Sequence, residues 1–393
     1  MEDAGIRSGR PATDTLAHMA APSPTRPLHP VTSAHHLLPD DEPLAFVAPD
    51  GSEAHPDLGG PGDGVARPDD ATLLDLHRRM VVGRRLDTQC TALTKQGRLA
   101  VYPSSRGQEA CEIGVTAALR DQDWLFPTYR DTVAVLDRGV DPAEALELLR
   151  GSWHCGYDPH RYRVAPQCTP LATNTLHAVG LAHAARLRGE DTVAVVFIGD
   201  GATSEGDTHE AFNVAAVWNA PVVFVVVNNG FAISVPLAKQ TAAPSLAAKG
   251  IGYGMPGRRV DGNDVAAVYA TVAAAVQTAA EGGGPTLVEA VTYRMEAHTN
   301  ADDAGRYRTD DEVAVWRERD PVQRSTAFLT ARGVLTPAVA DAVTAEGERR
   351  AAALREVMNA DPVTDPAALF EHVYAEPTPA LRAQAAEVAE FGA

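Results

Sequence analysis

Two apolar runs in the middle of the chain constrain its fold most. Val193-Ala194-Val195-Val196-Phe197-Ile198 and Val222-Val223-Phe224-Val225-Val226-Val227 contain no polar residue. A strand with one wet face alternates apolar and polar, because successive side chains point to opposite faces. Unbroken runs rich in β-branched residues therefore read as strands buried on both faces, the pattern of a parallel sheet covered by helices. Between them lie a polar loop, Gly199–Asp207, and a helical stretch from Thr208 to Trp218. Strand, helix, strand makes a βαβ unit with a right-handed crossover.

The same alternation continues outward. Strands are expected at Arg258–Val260 and Thr286–Tyr293, with a helix from Asp264 to Ala280 between them. Upstream, helices are expected over Ala71–Lys95, from Gln108, from Asp141-Pro142-Ala143-Glu144 and over Asn174–Arg188. The third start is marked by an Asp cap, a Pro in the first turn and a Glu placed for a capping box. Downstream of Arg308 the chain reads as helical, with starts at Asp320-Pro321 and Pro337. The fold class is α/β, a doubly wound, mostly parallel sheet with helices on both faces and a helical C-terminal part. Residues 1–66, rich in Pro, Gly, His and Asp, read as a flexible arm in which His35–Val47 has the means to dock. Residues 67–375 form the domain, and 376–393 a helical tail.

A formal charge of −18 argues against a nucleic-acid surface, which needs clustered Lys and Arg to displace counterions. Four cysteines without a CxxC pair fit reduced thiols and a cytoplasmic setting. No apolar stretch approaches the ~20 residues that span a bilayer.

Ligands of open parallel sheets bind at the carboxyl ends of strands. Gly199-Asp200-Gly201 follows one central strand and Asn228-Asn229-Gly230 the next. Alone, Gly-Asp-Gly is an ordinary turn. Together, a carboxylate and an amide oxygen on one rim are hard ligands for Mg²⁺, which commonly completes its shell with phosphate oxygens and water. His298 opens a polar loop soon after a third strand. A lone His is more often structural than catalytic, yet its ordinary pKa near 6.5 suits proton transfer.

Gly199-Asp200-Gly201-Ala202-Thr203-Ser204-Glu205-Gly206-Asp207 followed by Asn228-Asn229-Gly230-Phe231-Ala232-Ile233-Ser234 resembles the thiamine diphosphate motif of alpha subunits of heterotetrameric 2-oxo acid dehydrogenases, the branched-chain (2-oxoisovalerate) type in particular. Gly107–Ala110, Phe126–Asp131, Thr169–Thr173, Val260–Asp264 and Tyr293–Asp303 extend the resemblance over roughly residues 70–380. It implies oxidative decarboxylation of branched-chain 2-oxo acids with acyl transfer to a lipoyl group. It also implies a beta subunit that completes the site and a lipoyl-bearing acyltransferase partner. By the same resemblance, Asp200, Asn229 and the Phe231 carbonyl would hold Mg²⁺. Tyr129, Arg130, Gly201 and Ala202 would lie at the diphosphate, and Thr169 and Leu171 at the cofactor's rings. His298 would border the reactive carbon as the catalytic residue. The Cys168–Asn174 loop resembles a K⁺ site, with Thr173 and Asn174 as candidate ligands, and Arg294 and Tyr307 would brace the His298 loop.

The chain departs from the family pattern twice. Val227 stands where members commonly have an Arg before the Asn pair, and 151–160 replaces a longer His-containing segment. Pyruvate remains the alternative substrate, since a few methylene groups discriminate only weakly in an apolar pocket. A catalytically silent phosphate-binding protein on the same fold is a reading from another class, as is a Mg-dependent phosphatase-like protein needing clustered carboxylates.

Overall fold

A computed structural model describes residues 37–54, 65–361, 365–371 and 373–391. The first 36 residues of the expected arm lie outside this range. In chain order the helices and strands are α1 (Asp70–Lys95), α2 (Glu109–Ala118), β1 (Trp124–Phe126), α3 (Thr132–Asp137), α4 (Pro142–Arg150), α5 (Pro159–Tyr162) and α6 (Thr173–Arg188). Then come β2 (Ala194–Gly199), α7 (Gly206–Trp218), β3 (Val222–Asn228), the short β4 (Phe231–Ala232) and β5 (Val235–Pro236), β6 (Gly257–Asp261), α8 (Val265–Ala280) and β7 (Thr286–Val291). The C-terminal part is α9 (Asp310–Arg317), α10 (Pro321–Ala331), α11 (Pro337–Asn359), α12 (Ala368–Glu371) and α13 (Pro379–Phe391).

The main sheet has the order β1-β2-β3-β7-β6, and every pairing in it is parallel. The two apolar runs are its centre. Val195 and Phe197 of β2 and Val223 and Val225 of β3 face a core shared with α1, α2 and α8. Ala194, Val196 and Ile198 with Val222, Phe224 and Val226 face the core beneath α6 and α7. Each face is covered, so neither strand has a polar side to show. The caps follow the local chemistry: Asp141 accepts from Ala143 and Glu144 backbone N–H groups, Asp264 from Ala266 and Ala267, and Asp320 from Val322 and Gln323.

Part of the stretch assigned to the arm is docked on the body. Leu44 pairs in parallel with Val260 of the edge strand β6. Its N–H donates to the Arg259 carbonyl at 3.0 Å, and its carbonyl accepts from the Asp261 N–H at 2.9 Å. The backbone N–H groups of Phe46 and Val47 donate to Asp264 Oδ2 at 2.7 and 2.8 Å, and both side chains are buried. The sequence boundary at 67 marks where helical periodicity begins, and periodicity is blind to an irregular strap held by backbone hydrogen bonds. Among the described residues, no helix is long and apolar enough to cross a membrane.

Candidate active site

The ends of β1, β2, β3 and β7 converge on one cleft of about 180 Å³. β1 is only three residues long, but its register against β2, Trp124 opposite Ala194, brings the following turn to the same rim. Tyr129, Arg130, Leu171, Asp200, Gly201, Ala202, Asn229, Phe231 and His298 all line this cleft, with Gln108, Asp131, Val227 and Arg294. Thr169 does not: it is exposed and outside the lining. The histidines of segment 151–160 stay outside as well. His160 packs edge-on against Trp124 at 5.4 Å, and His154 lies against Trp153.

Asp200 follows β2 directly and is 1% exposed. Its Oδ2 has no hydrogen-bond partner among the described residues, and burial pushes its pKa up to about 6. A buried carboxylate without a partner is costly, and a cation is the natural remedy. Asn229 follows β3 directly and has a fixed amide: its Nδ2 donates to Gln108 Oε1 at 3.1 Å, and its Oδ1 accepts from the Phe231 N–H at 3.4 Å. Gly201 must be small, since a Cβ there would stand 2.8 Å from the Ala232 Cβ. Among the described residues no group of three or more His, Cys, Asp and Glu could hold a metal, so the clustered ligands of the phosphatase-like reading are missing.

The cleft also carries two guanidinium groups with no carboxylate partner among the described residues. Arg130, 7% exposed, donates to the Ser104 carbonyl at 2.9 Å and to His298 Nδ1 at 3.0 Å and its carbonyl at 3.1 Å. Arg294, 1% exposed, donates to the Phe231 carbonyl at 3.3 Å and to Tyr307 Oη at 2.8 Å, with its Nε unpartnered among the described residues. Two buried cations facing one cleft favour an anionic ligand. Val227, where family members commonly carry Arg, contributes only an apolar wall, and Arg294 brings a guanidinium to the same cleft.

An Arg side chain can only donate, so the Arg130 contact makes His298 Nδ1 the acceptor and leaves the ring proton on Nε2. Burial, with the Arg130 and Arg294 charges behind it, holds the His298 pKa down to about 4. The site thus lowers the ring from the ordinary value near 6.5, and it is neutral at pH 7. Its loop is pinned by Asp302 Oδ2, which accepts from the His298 backbone N–H at 2.7 Å and from Tyr307 Oη at 2.5 Å.

Residues 77–365 match the family described as dehydrogenase E1 component. The chain belongs to that family. It is 48% identical over 350 residues, 88% of its own length and 93% of the relative's, to the 3-methyl-2-oxobutanoate dehydrogenase subunit alpha of Mycobacterium tuberculosis (strain ATCC 25618 / H37Rv). It is 41% identical over 266 residues, 67% of its length and 72% of the relative's, to the pyruvate dehydrogenase E1 component subunit alpha of Staphylococcus aureus (strain Mu50 / ATCC 700699). Gln108, expected at a helix start and within the Gly107–Ala110 stretch of the resemblance, had no site role assigned from the sequence, because its partner Asn229 lies 121 residues away.

Proposed function

We propose that this chain is the alpha subunit of a thiamine diphosphate-dependent branched-chain 2-oxo acid dehydrogenase and holds the diphosphate–Mg²⁺ end of the cofactor. The observation that carries the reading is the convergence of Asp200, Asn229, two carboxylate-free guanidiniums and His298 on one cleft. The residues fit the group: an orphaned carboxylate oxygen, an oriented amide and the Phe231 carbonyl are hard oxygen donors for Mg²⁺. Tyr129 and Arg130 would meet the diphosphate, with Gly201 and Ala202 letting it approach the backbone. Leu171, and less directly the exposed Thr169, would lie toward the rings. Asn174 spends its amide nitrogen on the Phe197 carbonyl at 2.9 Å, which leaves its oxygen, with Thr173, as the candidate K⁺ ligands.

Bound thiamine diphosphate supplies a carbon nucleophile and an electron sink, so that CO₂ can leave the 2-oxo acid and the acyl group can pass to a lipoyl group. The chain's own residues do the rest. Arg130 fixes the His298 tautomer, and His298 holds a proton at Nε2 for donation to oxygen charge developing on the substrate. The neutral ring is suited to donate a hydrogen bond without adding a third cation beside the two arginines. A beta subunit completes the site in a heterotetramer of two alpha and two beta subunits, and the acyl group goes to a lipoyl-bearing acyltransferase.

The mycobacterial relative, matched over most of both chains, supports the branched-chain substrate. The staphylococcal relative keeps pyruvate as the second reading. The presence of Asp200, Asn229 and His298 together in one cleft weighs against a silent phosphate-binding protein. The test is co-expression with the beta subunit and comparison of kcat/KM for 3-methyl-2-oxobutanoate, 4-methyl-2-oxopentanoate, 3-methyl-2-oxopentanoate and pyruvate. Preference for the branched acids, lost on Asp200→Ala, is expected. Preference for pyruvate would move the assignment to the second reading, and no turnover by a well-formed complex would refute both.

A further inference from the structure

Gln108 is 2% exposed and lines the cleft. Its backbone is held rigidly. The Gln108 N–H donates to the Ser105 carbonyl at 2.8 Å. Gly107 before it has φ +91, and a Cβ there would meet the Met295 side chain at 2.8 Å. The Gly107 N–H is held by Glu109 Oε2 at 2.8 Å, and that carboxylate is in turn clamped by Arg84. The side chain thus projects from a fixed point, the residue preceding α2.

Its two ends do different things. Oε1 accepts from Asn229 Nδ2 at 3.1 Å. Because the amide is planar, that bond turns Asn229 Oδ1 the other way, toward Phe231. Nε2 is buried with no hydrogen-bond partner among the described residues. A buried amide N–H₂ without a partner is destabilising, so its retention at the wall of an anion-favouring cleft calls for an acceptor there. Resting on the cofactor reading above, we infer that Gln108 is a positioning residue with two functions: its oxygen sets the orientation of the metal-binding Asn229 amide, and its free N–H₂ donates to an anionic oxygen of the bound cofactor.

Two substitutions separate the functions. Gln108→Met keeps the length and apolar stem and removes both hydrogen bonds. Gln108→Glu keeps an acceptor for Asn229 Nδ2 and removes the donor. The assembled complex with its beta subunit is titrated with Mn²⁺ at saturating thiamine diphosphate, read by electron paramagnetic resonance. It is then titrated with thiamine diphosphate at saturating Mn²⁺, read by tryptophan fluorescence. Partners that orient a metal ligand are worth about 10- to 100-fold in affinity. Gln108→Met should lose about that factor for both ligands. Gln108→Glu should keep the Mn²⁺ affinity and lose only the cofactor affinity. Equal binding by wild type and Gln108→Met overturns the inference, as does loss of Mn²⁺ affinity in Gln108→Glu as large as in Gln108→Met. Should Gln108→Met fail to assemble, the split between the two ligands in Gln108→Glu decides alone. A wild-type complex that binds neither ligand would instead overturn the cofactor reading itself.

Discussion

Replacing Arg130 by Met tests how the cleft works. Methionine keeps an unbranched apolar stem and loses every donor. Three hydrogen bonds go at once, to the Ser104 carbonyl, His298 Nδ1 and the His298 carbonyl. Hydrogen bonds from a charged group contribute about 1.5–3 kcal/mol each. With Arg130 at the diphosphate as proposed, loss of one such bond predicts cofactor binding weaker by about 10- to 150-fold. The second effect falls on His298. Without the guanidinium its ring loses a tether and one of the two positive charges that help depress its pKa. The pKa should rise from about 4, and the ring should no longer be held in one tautomer. Misplacement of a reacting group by an ångström costs about 100-fold, so kcat at saturating cofactor should fall by that order. The assay pairs a thiamine diphosphate titration with kcat measured across pH 5–8 on the assembled complex. An Arg130→Met enzyme with wild-type cofactor affinity and an unchanged pH profile would refute the reasoning.

Two further perturbations probe the frame. Gly201→Ala places a Cβ 2.8 Å from that of Ala232; overpacking of this kind costs about 1–3 kcal/mol, so both the melting temperature and the cofactor affinity should drop, and an unchanged Tm would contradict the tight approach. His77, buried beneath α10 with its Nδ1 2.8 Å from Ser325 Oγ, has its pKa lowered by burial to about 4. Between that value and 6.5 the unfolded chain binds the extra proton, so stability falls as pH drops through this window, by up to about 3 kcal/mol in all. His77→Asn should remove that component, seen as a shallower loss of Tm between pH 7 and 5; parallel curves for the two proteins would count against it.

Much of this was legible in the residues because run length and strand-end chemistry are local. The apolar runs of β2 and β3 end at Gly199 and Asn228, so Asp200 and Asn229 had to emerge on one rim of a parallel sheet. β1 was not legible: Trp124–Phe126 is too short to show a period, and only its pairing with β2 brings Tyr129 and Arg130 beside Asp200. The pairing of Gln108 with Asn229 was hidden for a similar reason, since an amide contact across the fold leaves no spacing signal. His298 shows another limit. Its residue type fixes a reference pKa, whereas burial and two guanidiniums contributed by Arg130 and Arg294 set the one that matters.

The strap at Leu44–Val47 bears on how this molecule avoids self-association. β6 is the last strand of the sheet on its side, and an uncovered edge offers free N–H and carbonyl groups to any passing chain. Leu44 occupies two of those positions, while Asp264 holds the Phe46 and Val47 N–H groups and Arg324 the Val47 carbonyl. A shortened chain starting at the first long helix would keep the catalytic cleft and expose that ladder. Its failure would then appear as aggregation during expression, in a protein whose chemistry had not been touched.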